Sequence, residues 1–265
     1  MNKISEIAQR IEENKKNIEI LHTGLIEVDS FLEGGFLKKE LVVLGAKTGG
    51  GKSLFGATIF KNIAMSGHKS AYFSLEISNE MIVSRLLGAE ANISPTKIMI
   101  KMLQDDETEK KDIAKMELSA YDDLMYFYDN LYTLPEIVKA IKEGGYEFVV
   151  IDFIQNIITN TKRDEYERLS FVALELQRLA KEQNVCILVL SQVSNQMVRD
   201  LDRNKEIVEY KGSGSIATVC DLGFFIEKDD IPEHFKLRLR KNRRGVSGQD
   251  FRFKLMSPGG RVVDV

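Results

Sequence analysis

The sequence predicts an α/β fold built on a twisted, mostly parallel sheet. Three observations carry this reading. Short, nearly unbroken apolar runs recur along the chain: LVVLG at 41–45, SAYFSL at 70–75, LMYFYD at 124–129, EFVVID at 147–152 and VCILVLSQ at 185–192. Helical stretches separate them. A glycine-rich loop leads straight out of the first run into a helix. Runs apolar on both faces belong to strands covered on both sides, and strand–helix alternation gives βαβ units with the helices on the sheet faces.

The first twenty residues read as one amphipathic helix. Ile4, Ile7, Ile11 and Ile18 recur at helical spacing and draw a single apolar stripe. Such a stripe buries either against its own domain or against a neighbouring copy. The remaining chain shows no convincing linker, so the expected organisation is an N-terminal helix over 1–21 and one domain over 22–265. Within that domain, Thr133-Leu134-Pro135-Glu136 is a capping box with proline in the first turn and starts a helix. Leu169, Ala173, Leu176 and Ala180 mark a second helix over about 165–183. The stretch 104–123 carries eight acids against three bases and reads as a solvated helix or loop. Beyond 221 the pattern changes. Leu222–Glu227, Lys236–Lys241 and Phe251–Leu255 read as strands, and in KLRLRK the leucines share one face and the bases the other, as in a half-exposed strand.

Composition bounds the function. The chain has 265 residues, 43% hydrophobic and 29% charged, which excludes a disordered chain and supplies a full core without metal or disulfide staples. Its net charge of −3 excludes a strongly basic coat but leaves room for local phosphate-binding patches. Cys186 and Cys220 lie in apolar runs and read as buried free thiols. His22, His68 and His234 lie far apart without ligand spacing. No apolar run is long enough to span a membrane, and the first residues lack the apolar block of a signal peptide, so the expected location is the cytoplasm.

The strongest chemical signal is Gly45-Ala46-Lys47-Thr48-Gly49-Gly50-Gly51-Lys52-Ser53. Glycine-Lys-Ser after a strand and before a helix is the P-loop pattern, with Ala46 where the first glycine is usual. Successive glycines turn backbone N–H groups inward around phosphate oxygens, and the following helix adds its N-terminal dipole. Ala46 to Ser53 are therefore the expected nucleoside triphosphate cradle, with Lys52 on the β- and γ-phosphates and Ser53 on Mg²⁺. Asp152 ends the run FVVID, where a second carboxylate for Mg²⁺ belongs; the plain alternative is a turn or cap residue. Glu76 ends SAYFSLE and either orients the attacking water or caps the next helix. Gln192 ends VCILVLSQ and either senses the γ-phosphate or caps a loop. Residues 236–254 hold eight bases against Asp250 alone, so this strand pair either meets an external anion or is a solvated edge protected from aggregation.

Taken in order, HTGLIEVDSFLEGGF, AKTGGGKS, YFSLEIS, VVIDFIQNI, SQVS, KGSGSIATVCD and KNRRG resemble the RecA-like motor domain of DnaB-type hexameric replicative helicases, over roughly residues 22–255. The resemblance implies a RecA-like P-loop NTPase fold and a ring-forming, ATP- and Mg²⁺-dependent DNA helicase moving 5′ to 3′ on single-stranded DNA. It implies Glu76 as catalytic base and Gln192 as γ-phosphate sensor. Lys241 and Arg243 would act across the subunit interface on the neighbour's ATP. It places DNA contact on the loop 193–215, with Arg199, Arg203, Lys211, Gly212, Ser213 and Gly214 as candidates. That loop carries four bases against four acids, so it adds no net attraction for phosphate. The helix at 1–20 is similar to the family's linker helix, which docks on the adjacent subunit. The separate N-terminal helical domain of the family, which recruits primase, has no counterpart in the sequence, which suggests a minimal, phage- or plasmid-like form. Primase or a helicase loader remains a candidate partner. A RecA-like recombinase, or another ATP-switched DNA-binding assembly, is the alternative on the same fold.

Overall fold

The computed structural model describes residues 3–14, 20–160, 164–193 and 214–265. Its centre is a nine-stranded sheet in the order β11-β10-β9-β8-β3-β7-β6-β4-β5. The strands β3 (Leu41–Ala46), β4 (Ser70–Ser74), β5 (Met125–Tyr128), β6 (Phe148–Asp152), β7 (Cys186–Gln192) and β8 (Leu222–Lys228) run parallel. All five apolar runs of the sequence are among them. The antiparallel extension is β9 (His234–Asn242), β10 (Asp250–Met256) and β11 (Arg261–Asp264). A separate two-stranded ribbon pairs β1 (Ile20–Leu21) with β2 (Phe36–Leu37).

Two apolar layers cover the two faces. Strand alternation sends Val42, Leu44, Phe148, Val150, Leu188 and Leu190 to one side, where α3 (Lys52–Met65) and α4 (Asn79–Ala91) pack. It sends Val43, Val149, Ile151, Ile187 and Val189 to the other, against α7 (Leu134–Gly144) and α8 (Glu165–Gln183). Gly56 lets α3 lie close on the sheet: a Cβ there would come within 2.9 Å of the Leu190 side chain. Helix α7 begins at the capping box read in the sequence, with Thr133 and Glu136 exchanging side-chain and backbone bonds. Cys186 and Cys220 are buried and form no disulfide.

The acidic stretch folds as α6 (Asp105–Ser119), largely exposed, after the short α5 (Pro95–Met99). At the N-terminus, helix α1 covers Ile4–Asn14, within the stretch 1–20 expected to be helical, of which residues 1–2 and 15–19 lie outside the described residues. Residue 20 lies in β1, paired with Leu37, and Ile18 lies outside the described residues. Among the described residues the remaining α-helices are α2 (Ile26–Phe31) and α9 (Gly214–Val219). No helix among the described residues is long and apolar enough to cross a membrane.

The parallel topology places the site. In an open α/β sheet, ligands bind beyond the carboxyl ends of the parallel strands, and the ends of β3, β4, β6 and β7 meet at one edge.

Candidate active site

Residues 46–53 leave the end of β3 and enter α3. Gly51 caps the helix at φ 93°, in the left-handed region where a side chain is strained. Gly50 is tightly enclosed: a Cβ would sit 2.8 Å from the Lys47 carbonyl oxygen, which accepts the Gly50 N–H at 2.9 Å. Ala46 needs neither freedom. It is the last residue of β3, in register with Gln192, and has no left-handed φ, so the methyl group is accommodated where the motif commonly has glycine.

The loop, with Lys52 and Ser53, forms one wall of a cleft of about 420 Å³, and Glu76, Arg85, Phe153 and Gln192 stand on its other walls. Lys52 is almost fully buried, its ammonium 5.5 Å from the centre of the Phe153 ring. Glu76 follows β4 and is exposed to the cleft. Its segment is pinned to the end of β6 because Leu75 N–H donates to the Asp152 carbonyl at 2.7 Å and Asn156 Nδ2 donates to the Leu75 carbonyl at 2.9 Å.

Asp152 is fully buried at the end of β6. Tyr72 donates its phenol to Oδ2 at 2.8 Å, reaching diagonally across β4 and β6. Burial raises the Asp152 pKa, and the Ser53 hydroxyl, Tyr72, Lys52 and Arg85 each draw it back. Oδ1 has no hydrogen-bond partner among the described residues. A buried carboxylate oxygen without a partner, beside a serine hydroxyl and a phosphate cradle, fits a Mg²⁺ site. Among the described residues no cluster of three or more His, Cys, Asp or Glu forms a metal cage. The donor set therefore suits an ion that keeps several waters and takes its other ligands from phosphate.

Gln192 ends β7 and reaches the P-loop, its Nε2 donating to Thr48 Oγ1 at 2.5 Å. Gln155 fixes its backbone: Nε2 donates to the Gln192 carbonyl at 3.1 Å, and Oε1 accepts the Gln192 N–H at 3.3 Å.

A family model described as the DnaB-like helicase C terminal domain matches residues 21–255. The chain belongs to that family. It is 29% identical over 257 residues to the replicative DNA helicase DnaB of Treponema pallidum (strain Nichols), covering 93% of this chain and 57% of that protein. It is 28% identical over 258 residues to the replicative DNA helicase DnaB of Geobacillus stearothermophilus, covering 86% and 56% respectively. The chain thus spans little more than half the length of these relatives. Two solved structures share its fold at a TM-score of 0.85 and 20% identity. One is an ATPase domain, aligned over 100% of this chain and 99% of that one. The other is a DnaB-like replicative helicase studied with primase, aligned over 100% and 67%. The fold is that of a RecA-like P-loop NTPase.

The DnaB-like residues divide between two ends of the molecule. Ala46 to Ser53, Glu76, Asp152 and Gln192 gather at the carboxyl edge of the parallel strands. Lys241 and Arg243 do not join them. Lys241 pairs with Gly223 and Asn242 with Leu222, which is level with Val42 near the start of β3. The P-loop begins at the other end of that strand, four residues and roughly 13 Å further on at the rise of extended chain. Lys241 Nζ donates to the Thr218 carbonyl at 2.6 Å, and burial lowers its pKa. Arg243 Nη2 donates to the same carbonyl at 2.9 Å.

The basic strands need a correction. The external anion sought for residues 236–254 is largely replaced by carboxylates of the chain itself. Arg238 meets Glu227 at 2.6 Å and Asp250 at 3.8 Å, Arg240 meets Asp250 at 3.6 Å, and Lys236 meets Asp229 at 3.1 Å. Both acids precede the counted segment in sequence: Glu227 lies opposite Lys236 in the β8–β9 pairing, and Asp229, just past β8, donates its N–H to the His234 carbonyl at 2.9 Å.

Of the DNA-contact candidates, Arg199, Arg203, Lys211, Gly212 and Ser213 lie outside the described residues. Gly214 opens α9, which packs on α8 through Ile216 and Val219. Sequence reasoning missed Tyr72, Arg85 and Gln155. Gln155 had a signal, since it lies in the VVIDFIQNI element, three residues beyond Asp152. Tyr72 and Arg85 read only as a core aromatic and a helix-surface base.

Proposed function

We propose that this chain is an ATP-hydrolysing motor that assembles with copies of itself into a ring and moves 5′ to 3′ along single-stranded DNA, unwinding duplex in DNA replication. The observation that carries the reading is the division of the site. The cradle, the candidate base and the sensor share one cleft, while Lys241 and Arg243 stand at the opposite end of the sheet. They complete a nucleotide site only on another copy, so the assembly is part of the chemistry.

In this account the P-loop N–H groups and Lys52 bind the phosphates of ATP. Glu76 takes a proton from the attacking water as general base. Gln192 contacts the γ-phosphate and passes its loss to the segment that follows β7, which carries Arg199, Arg203, Lys211, Gly212, Ser213 and Gly214 as the DNA contacts. Backbone N–H groups and basic side chains of such a segment grip phosphate without reading sequence. Mg²⁺, held through Ser53 and Asp152, would neutralise charge on the phosphates. Arg243, with Lys241, stabilises charge on the neighbour's transferring phosphoryl group, a contribution of about 10³–10⁵ in rate for arginine fingers. Segment 1–21 acts as a linker that docks on an adjacent copy, and 22–265 acts as the motor. Ile4 and Ile7 of α1 are exposed, which supports docking outside the chain's own domain.

The test is hydrolysis in mixed assemblies. Arg243→Ala and Glu76→Ala are each expected to bind ATP and to lose turnover. Assembled together, they restore some complete sites, each with Glu76 from one copy and Arg243 from its neighbour, and hydrolysis returns. Mixed assemblies that stay inactive would refute the shared site.

A further inference from the structure

Asp221 joins the two ends of this divided site. It stands between α9 and β8 and is hydrogen-bonded on both sides. Towards the P-loop strand, its N–H donates to the Leu41 carbonyl at 2.8 Å, and its Oδ2 accepts the Leu41 N–H at 2.9 Å. Towards the candidate finger, its carbonyl accepts the Arg243 N–H at 3.0 Å, and its Oδ1 accepts from Arg243 Nη1 at 2.9 Å. The Asp221 side chain is 14% exposed and the Arg243 side chain 44% exposed. The aspartate is thus a largely buried anchor and the arginine a tip open to solvent.

We propose that Asp221 is the positioning residue for Arg243 and fixes it to the first residue of the P-loop strand of the same chain. The inference rests on the trans role proposed above for Arg243. A guanidinium carries five N–H donors. Among the described residues, Asp221 and the Thr218 carbonyl take one each, which leaves donors for a phosphate on a neighbouring copy. A long side chain held in this way keeps its reach and loses its rotamer freedom before the phosphate arrives, which is how a positioned charge accelerates a reaction. Arg244 secures the other side of the same turn. Its Nε lies 3.0 Å from Glu40, and its Nη2 donates to the Gly35 carbonyl at 2.8 Å. Each chain's contribution to its neighbour is thereby referenced to β3, the strand that ends in its own P-loop.

Asp221→Ala and Asp221→Asn test this, the second keeping an oxygen acceptor for the Leu41 N–H. Alone, each is expected to lose turnover by about 10-fold or more with half-saturating ATP changed less than about 2-fold, the signature of an interaction made in the transition state. The readout that a general structural role would not move is rescue. Each variant is co-expressed with Lys52→Ala under two affinity tags, and assemblies carrying both tags are isolated. Lys52→Ala supplies an intact Asp221 and Arg243 to the intact cleft of the Asp221 variant, so hydrolysis should rise well above that of either variant alone. Wild-type turnover in both Asp221 variants would overturn the proposal, as would a loss that Lys52→Ala leaves unrescued, since that locates the defect in the variant's own cleft. Full turnover in Arg243→Ala would instead refute the trans reading itself, leaving Asp221 nothing to position.

Discussion

Gln192 donates its side-chain amide to the Thr48 hydroxyl, tying the end of β7 to the phosphate loop. The contact joins the two segments whose separation or approach a γ-phosphate would set. Gln155 holds the Gln192 backbone from below, so the amide tip is the part left to respond. Gln192→Ala is expected to leave ATP binding near wild type and to lower turnover on the order of 10²-fold, the cost of removing one well-placed donor. Gln155→Ala should show the same pattern more weakly. Steady-state kinetics with and without single-stranded DNA check both, and DNA stimulation should be lost in Gln192→Ala.

Tyr72 donates to Asp152 Oδ2 from the neighbouring strand, and the bond helps hold the buried carboxylate in its ionised form. Tyr72→Phe removes that donor. The Asp152 pKa should rise further, and the acid limb of the turnover profile should move to higher pH. Leaving a buried acceptor unsatisfied costs about 1–3 kcal/mol, so the unfolding midpoint should fall as well. A pH–rate profile paired with denaturant unfolding separates the two effects.

Asp152 itself makes a stability statement. Its pKa in the fold is raised above the ordinary 3.8. The folded state therefore holds the proton more tightly than the unfolded chain does. The stability from this group is fully present below the unfolded pKa and is lost as pH rises through the folded one. Asp152→Asn cannot ionise. Without nucleotide and Mg²⁺, its melting temperature relative to wild type should climb with pH through that window and then level off. Its turnover should be abolished at every pH. Thermal melts across the acid range give the first result and phosphate release the second.

Much of this site was legible because its residues sit at positions that the fold itself defines. Asp152, Glu76 and Gln192 follow apolar runs, and strand ends at the carboxyl edge of a parallel sheet converge whatever the strand order. Tyr72 was not legible, because its role depends on β6 lying beside β4 with Tyr72 opposite Val150. Arg85 depends on how α4 crosses α3. Strand β11 was missed because four residues after a Pro-Gly-Gly turn are too short to show a period. The helix read over 1–20 ends on Ile20, which instead pairs with Leu37, a strand partner that helical spacing cannot reveal. The charge count over 236–254 failed for a related reason, since cross-strand acids do not appear in a linear window.

Helix α1 leaves Ile4 87% and Ile7 43% exposed. If the stripe docks on an adjacent copy, Ile4→Asp with Ile7→Asp should reduce assembly without changing the melting temperature of the isolated motor. Light scattering across a concentration series, with circular dichroism as the folding control, checks this. Assembly equal to wild type would remove α1 from the interface.

Unwinding is measured on a forked duplex with a 5′ single-stranded tail, incubated with ATP and Mg²⁺ beside the Lys52→Ala control. The expected result is strand separation by the wild-type chain and none by Lys52→Ala. ATP hydrolysis and DNA binding without strand separation would contradict the helicase reading and favour an ATP-switched assembly on the same fold.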